Sequence, residues 1–129
     1  MTVNKLKKDN KFRKEIVVEK KHTTSHIGIS VLSTPSMIGL IEKTSNEYIQ
    51  KYLSAVSTTV GTFVNFTHEN PVKINEKIII EGRVDKIVDN KIKLKIKVVR
   101  NKDRSTVSRG THDRYIVNKK KFSKKVRGD

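Results

Sequence analysis

In the stretch from Lys91 to Val98, lysines and aliphatic residues alternate without exception. The aliphatic positions are Ile92, Leu94, Ile96 and Val98, and the positions between them are Lys91, Lys93, Lys95 and Lys97. Because successive side chains of a strand point to opposite faces, one face of this strand is buried and the other is solvated. Parallel sheets are covered on both faces, so the pattern favours an antiparallel sheet.

Four further segments are predicted to be strands. The segments 11–20, 58–66, 76–87 and 105–117 are rich in β-branched residues, as strands commonly are. Turn-forming residues at 89–90 and 101–103 lie between the last three strands. These three strands are therefore expected to form an antiparallel meander.

A helix is predicted between the first and second of the five strands, from Thr34 to about Leu53. Side chains recur there at helical spacing, namely Met37, Ile41, Thr44, Tyr48 and Tyr52. Thr34 is the expected N-cap, and Pro35 the first helical residue. The order of elements predicts an α+β domain in which a five-stranded antiparallel sheet wraps around one long helix.

Size and composition predict one globular domain. A chain of 129 residues with 34% hydrophobic residues can bury one core, here assigned to 11–129, and the lysine-rich residues 1–10 are expected to be loose. The absence of cysteine excludes disulfides, thiolate nucleophiles and cysteine-ligated metals. Without an apolar run of about 18 residues or an apolar signal region, we expect a soluble cytoplasmic protein that does not bind membranes.

The strongly basic composition leaves two interpretations open. A formal net charge of +16 favours anionic ligands, because clustered cations release counterions from phosphates. However, 22 of the 29 basic residues are lysines spread along the chain, whereas phosphate recognition tends to use arginine, and only 5% of residues are aromatic. A solvated basic surface is therefore favoured, including the tail from Lys119 onward. An anionic ligand such as coenzyme A is the alternative, and nucleic-acid binding is disfavoured.

Two residues of the predicted helix could carry chemistry. Glu42 lies one turn after Ile38 among apolar neighbours, and a partly buried carboxylate is a candidate acid, base or nucleophile. The alternative is that Glu42 lies at the edge of the apolar face and pairs with a surface lysine. The hydroxyl of Thr34 lies at the helix start, where free backbone N–H groups can stabilise a developing negative charge.

The predicted strands add further candidates. His68 follows the segment 58–66 at its downstream end, and Gly61 within that segment predicts a bulge or the close approach of another group. A structural histidine and a packing glycine are the alternatives. His112 and Arg114 share a face of the last strand, where they could bind phosphate, pair with acids or be solvated.

Three segments, taken together, resemble the fluoroacetyl-CoA thioesterase family of the hot-dog superfamily. Residues 34–42, TPSMIGLIE, are similar to its threonine, methionine-containing helix start and glutamate eight residues on. Residues 59–68, TVGTFVNFTH, are similar to its glycine-threonine strand, which ends in histidine seven residues after the glycine. Residues 108–114, SRGTHDR, resemble its final strand, and the similarity runs from about residue 11 to the end.

The resemblance implies a hot-dog fold and hydrolysis of a short or medium acyl-CoA to the free acid and coenzyme A. It also implies a homodimer in which each active site is built from both chains. The residues that correspond to the family's catalytic threonine, glutamate and histidine are Thr34, Glu42 and His68. The expected substrate-binding residues are Gly61, Thr62, His112 and Arg114. Whether Glu42 attacks the thioester or activates water stays open.

Residues 22–33, HTTSHIGISVLS, depart from this pattern because they contain no aromatic residue. The family's fluoroacetyl-CoA enzyme has a longer segment there with aromatic lid residues, so we expect no marked preference for fluoroacetyl-CoA. His22 and His26 lack metal-ligand spacing, and no phosphate-loop motif is present, so neither a metal nor a cofactor is expected. The alternative functions are an acyl-CoA-binding module without turnover and a basic nucleic-acid-binding protein.

Overall fold

A five-stranded antiparallel sheet packs against one long helix in the computed structural model, which describes residues 6–25 and 28–128. The strands are β1 (Lys11–Val17), β2 (Thr23–Thr24), β3 (Val31–Leu32), β4 (Ser57–Phe66), β5 (Lys77–Val88), β6 (Lys91–Arg100) and β7 (Thr106–Asn118). The helices are α1 (Thr34–Gln50) and α2 (Lys119–Arg127), and a 3-10 turn spans Lys20–His22. The predicted α+β architecture is confirmed.

The strand order of the sheet is β1-β5-β6-β7-β4, and every neighbouring pair is antiparallel. The predicted meander of β5, β6 and β7 is confirmed, and β2 pairs with β3 in a separate two-stranded sheet. In the β6–β7 register Leu94 faces His112 and Ile92 faces Arg114. His112 and Arg114 therefore lie on the face of the sheet that is packed against α1.

The hydrophobic core lies between this face and α1. The aliphatic residues of the alternating strand are at most 4% exposed, and they pack with Met37, Ile41 and Ile49 of the helix. At about 25 cal/mol per Å² of buried apolar area, this shared surface is the main source of stability. The sequence pattern thus correctly identified the buried face of β6.

The cap of α1 differs from the prediction. Ser33 is the N-cap, and its hydroxyl accepts a hydrogen bond from the Ser36 amide at 3.2 Å. Thr34 is already the first helical residue and Pro35 the second. The helix ends at Gln50 rather than near Leu53. Because Ser33 performs the capping, the Thr34 hydroxyl can make other contacts.

Both ends of the chain contain structure that the sequence analysis did not predict. Leu6 is 5% exposed within the core and the Asp9 amide donates to the Val84 carbonyl at 2.7 Å, so residues 6–10 are not loose. Residues expected to form a solvated tail form α2, which Asn118 caps by accepting from the Lys121 amide at 3.0 Å. Across the described residues, neither helix has the length and apolar character needed to cross a membrane.

Candidate active site

Thr34 and His68, far apart in sequence, lie in direct contact. Thr34 Oγ1 is 2.8 Å from His68 Nδ1, which places the histidine that follows β4 at the start of α1. Burial lowers the pKa of His68 below its ordinary value of 6.5, because the charged imidazolium loses hydration. The ring is therefore neutral near pH 7, and it can accept a proton from a hydroxyl or from water.

The start of α1 offers one free amide beside this pair. Pro35 has no N–H, the Ser36 amide donates to the Ser33 hydroxyl, and the Met37 amide donates to the Ser33 carbonyl at 2.9 Å. The Thr34 amide is the remaining N–H of the first turn, and none of the described residues accepts from it. Stabilisation of an oxyanion by the helix start therefore depends on this one amide.

Glu42 lies two turns further along α1, against Gly61 of β4. A Cβ atom at position 61 would be only 2.5 Å from Glu42 Oε2, so the carboxylate occupies space that any other residue would fill. The nearest cation is the guanidinium of Arg114, with Nη1 3.9 Å from Oε2. Glu42 therefore contacts a buried arginine and not, as in the alternative interpretation, a surface lysine. Its own side chain is 40% exposed.

Arg114 is held in place by three hydrogen bonds. Its Nε donates to Thr59 Oγ1 at 2.7 Å, its Nη2 to the Thr59 carbonyl at 3.0 Å, and its Nη1 to His112 Nε2 at 3.1 Å. An arginine can only donate, so His112 Nε2 must be the acceptor, and the ring proton lies on Nδ1. Nδ1 in turn donates to the Phe63 carbonyl at 2.8 Å. Burial lowers the pKa of both His112 and Arg114.

The expected substrate-binding residues thus occupy distinct positions. Gly61, His112 and Arg114 meet at Glu42, and the solvated interpretation of His112 and Arg114 is wrong because they are 0% and 6% exposed. The β4–β7 register shifts between Gly61 and Phe63, which confirms the predicted bulge. Thr62 is the extra residue of the bulge, and its hydroxyl donates to the Asp113 carbonyl at 3.3 Å.

The catalytic candidates form two groups within one chain. Thr34 and His68 make one group, and Glu42 with Gly61 and Arg114 makes the other. Glu42 follows Thr34 by eight positions in the helix, which corresponds to about 12 Å along the axis at 1.5 Å per residue. Among the described residues, no hydrogen bond or ion pair joins the two groups.

A small cavity adjoins the first group. Its volume is about 220 Å³, and its lining residues are Val31, Leu32, His68, Glu69, Asn70 and Pro71. Val31 and Leu32 belong to the segment 22–33, and the Leu32 amide donates to the Val72 carbonyl at 2.8 Å. His26 and Ile27 of that segment lie outside the described residues.

Two polar residues of the site, Ser33 and Thr59, were not predicted from the sequence. Ser33 could have been found, because a second hydroxyl residue directly precedes Thr34. Thr59 lies two residues before Gly61 on the same face, and it links Arg114 to α1 by donating to Asn46 Oδ1 at 2.6 Å. The residues that the structure describes contain no group of three or more side chains able to hold a metal ion.

A family model described as fluoroacetyl-CoA-specific thioesterase, FlK, matches residues 13–120. The chain belongs to this family. No curated protein matches this thioesterase-family chain in sequence.

Solved structures resemble this member of the family over nearly its whole length. The fluoroacetyl-CoA thioesterase FlK is 20% identical, with 98% of each chain covered and a TM-score of 0.89. A thioesterase superfamily member from Thermus thermophilus is 16% identical, with 96% of this chain and 93% of that chain covered and a TM-score of 0.85. A hot-dog-like protein from Thermanaerovibrio acidaminovorans is 17% identical, with coverage of 92% and 89% and a TM-score of 0.82. The predicted hot-dog fold is thereby confirmed.

Proposed function

We propose that the chain is an acyl-CoA thioesterase in which Thr34, Glu42 and His68 are the catalytic residues. The observation that carries the proposal is the 2.8 Å contact between the Thr34 hydroxyl and the half-buried imidazole of His68 at the start of α1. Membership of a thioesterase family over residues 13–120 supports the same reaction. Thioester hydrolysis needs a base, an oxyanion donor and a nucleophile, and this site contains candidates for each.

The proposed reaction transfers the acyl group from sulfur to water. When water is the nucleophile, the neutral His68 ring takes a proton from it as the water oxygen bonds to the thioester carbon, and the Thr34 amide donates to the developing oxyanion. Collapse of the intermediate breaks the carbon–sulfur bond, and the proton passes to the coenzyme A thiolate. Glu42 is either a base that helps to activate this water or the nucleophile itself. In the second case its carboxylate attacks the thioester carbon, coenzyme A leaves as the thiolate, and water activated by His68 then hydrolyses the acyl–Glu42 anhydride, its proton passing to the thiolate.

The separation of the two groups supports a homodimer with shared active sites. We propose that Glu42 of one protomer faces Thr34 and His68 of its partner. β4 is an edge strand, and it exposes 49% of Phe63 and 42% of Val64 beside Gly61. Unpaired edges with exposed apolar residues commonly mark association surfaces. Light scattering of the dilute protein is expected to give twice 14.8 kDa, and a lone 14.8 kDa species would contradict the dimer.

The proposed substrates are ordinary short or medium acyl-CoAs. Release of free thiol from acetyl-, butyryl-, hexanoyl- and octanoyl-CoA should be measured for the wild type and for His68→Ala. We expect turnover by the wild type and a loss of about 100-fold or more in the variant. Tight acyl-CoA binding without thiol release would instead favour the alternative, a binding module without turnover.

A further inference from the structure

His68 lies outside regular secondary structure, two residues beyond the end of β4. A loop residue can sample many positions, yet the proposed reaction needs its imidazole fixed against Thr34. The residues on either side of His68 are each bonded to β7. The Thr67 amide donates to the Arg109 carbonyl at 3.0 Å, and the Glu69 amide donates to the Val107 carbonyl at 2.7 Å.

Side chains reinforce the same connection. Arg109 binds the Glu69 carboxylate with two nitrogens, Nε to Oε2 at 2.8 Å and Nη2 to Oε1 at 3.1 Å. The Thr67 hydroxyl donates to Glu69 Oε2 at 2.7 Å and accepts from the Arg109 amide at 3.1 Å. Two-nitrogen arginine–carboxylate pairs fix geometry more strictly than single contacts. We call these three residues, Thr67, Glu69 and Arg109, the β7 clamp.

Charge and strand packing favour an intact clamp at neutral pH. The hydrogen bond from Arg109, and then that from Thr67, hold the pKa of Glu69 below its usual value, so the carboxylate is ionised. The next residue of β7, Gly110, lies so close to Asn65 and Phe66 of β4 that a side chain there would collide with their backbone. β4 is thereby held tightly against β7 just before the clamp begins.

We propose that the β7 clamp positions His68, so that Glu69 and Arg109 are positioning residues of the active site rather than an ordinary surface ion pair. The inference rests on the proposed function of His68 and extends it to residues that touch no substrate. Exposed ion pairs contribute little to global stability, and the Arg109 and Glu69 side chains are 61% and 32% exposed. Their removal should therefore leave the protein folded while releasing His68.

The decisive experiment is an NMR titration of the His68 imidazole in Glu42→Ala and in the double variants that add Arg109→Gln or Glu69→Gln. Glu42→Ala removes the carboxylate that is proposed to face His68 from the partner, so only the clamp differs between the proteins compared. Burial is what lowers the pKa of His68, so release of the loop should let water reach the ring and raise its titration midpoint in both variants. A purely electrostatic influence behaves differently, since loss of the arginine would raise the midpoint and loss of the glutamate would lower it. Opposite shifts, or no shift in either variant, would overturn the proposal.

A matched control is Arg83→Gln, because Arg83 forms a similar pair with Asp9 at 2.7 Å away from the site. This variant should leave the His68 titration unchanged. In the thiol-release assay kcat should fall about tenfold or more in the single clamp variants, Arg109→Gln and Glu69→Gln, with KM little changed, as misplacement of a catalytic group predicts. Arg109→Lys should not restore kcat, because lysine keeps the charge but lacks the two-nitrogen geometry.

The two readouts separate failure of this inference from failure of the proposed function. If the wild type released no thiol but both clamp variants raised the His68 midpoint, the clamp would stand and the thioesterase assignment would fail. If the wild type were active and neither clamp variant changed kcat or the His68 titration, the clamp would be wrong and the assignment would stand.

Discussion

Replacement of Gly61 by alanine should displace the Glu42 carboxylate without removing it. The new Cβ atom would lie 2.5 Å from Glu42 Oε2, whereas ordinary van der Waals contact begins at 3.4 Å. The carboxylate must therefore move by about 1 Å, and a misplacement of that size can lower the rate by about 100-fold. Oε2 is the end of a flexible side chain, and Arg114 Nη1 and His112 Cε1, each 3.3 Å from the new Cβ, need to move by only a few tenths of an ångström, so the change should cost little stability. We expect kcat/KM to fall about 100-fold in Gly61→Ala.

The assay is thiol release from acetyl-CoA, with Gly39→Ala as the matched control. A Cβ atom at Gly39, which also lies on the Glu42 helix, would meet nothing within 4 Å. Gly39→Ala should keep wild-type kinetics and raise the free energy of unfolding by up to about 1 kcal/mol, because alanine favours a helix over glycine. Wild-type kcat/KM in Gly61→Ala, with the protein folded by circular dichroism, would refute the argument that Glu42 must lie against Gly61.

Ser33→Ala should lower the free energy of unfolding by about 1 kcal/mol through loss of the cap, whereas Thr34→Ala should mainly lower kcat. Urea unfolding measures the first effect and thiol release the second. The reverse pattern would show that Thr34 is the cap. His112 has a lowered pKa in the folded state, so the unfolded chain binds its proton first as the pH falls below the ordinary value of 6.5. The contribution of His112 to the free energy of unfolding should thus be constant above that pH and decrease below it. The total decrease should therefore be smaller in His112→Gln, and an equal decrease in both proteins would exclude this cause. The preference for fluoroacetyl-CoA over acetyl-CoA, measured as the ratio of their kcat/KM values, should be modest, because a difference of one substituent in an apolar pocket contributes only about 1 to 3 kcal/mol. A preference above about a thousandfold would contradict the lid argument.

The sheet and helix could be predicted because their patterns follow directly from burial. The alternation of Lys91–Val98 predicts a strand with one solvent-exposed face. Helical spacing predicts that Met37 and Ile41 lie in the core, and both are buried. α2 could not be predicted, since a run of lysines is equally compatible with a solvated coil. Its helical state depends on the Asn118 cap and on a left-handed Gly128, at φ 80°.

The residues of the site could be predicted more readily than the contacts between them. Thr34 and Ser33 are adjacent hydroxyl residues, and only backbone geometry decides which one caps the helix. One alternative for Arg114 is a solvated side chain, as is usual for arginine. Its burial depends on the β4–β7 register, which aligns Arg114 with Gly61 across the sheet. Sequence pattern does not specify that pairing, and so it did not predict the group around Glu42.

A subunit-mixing experiment shows whether Glu42 and His68 of different protomers form one active site. Glu42→Ala and His68→Ala are each expected to be nearly inactive in thiol release. When the two are unfolded together and refolded at equal concentrations, half of the dimers contain one of each, and each such dimer has one intact shared site. Activity should then recover to about a quarter of the wild-type value per protomer, as two-fold symmetry requires. If the mixture stays as inactive as the separate variants, although mass spectrometry shows that mixed dimers have formed, the shared site is wrong.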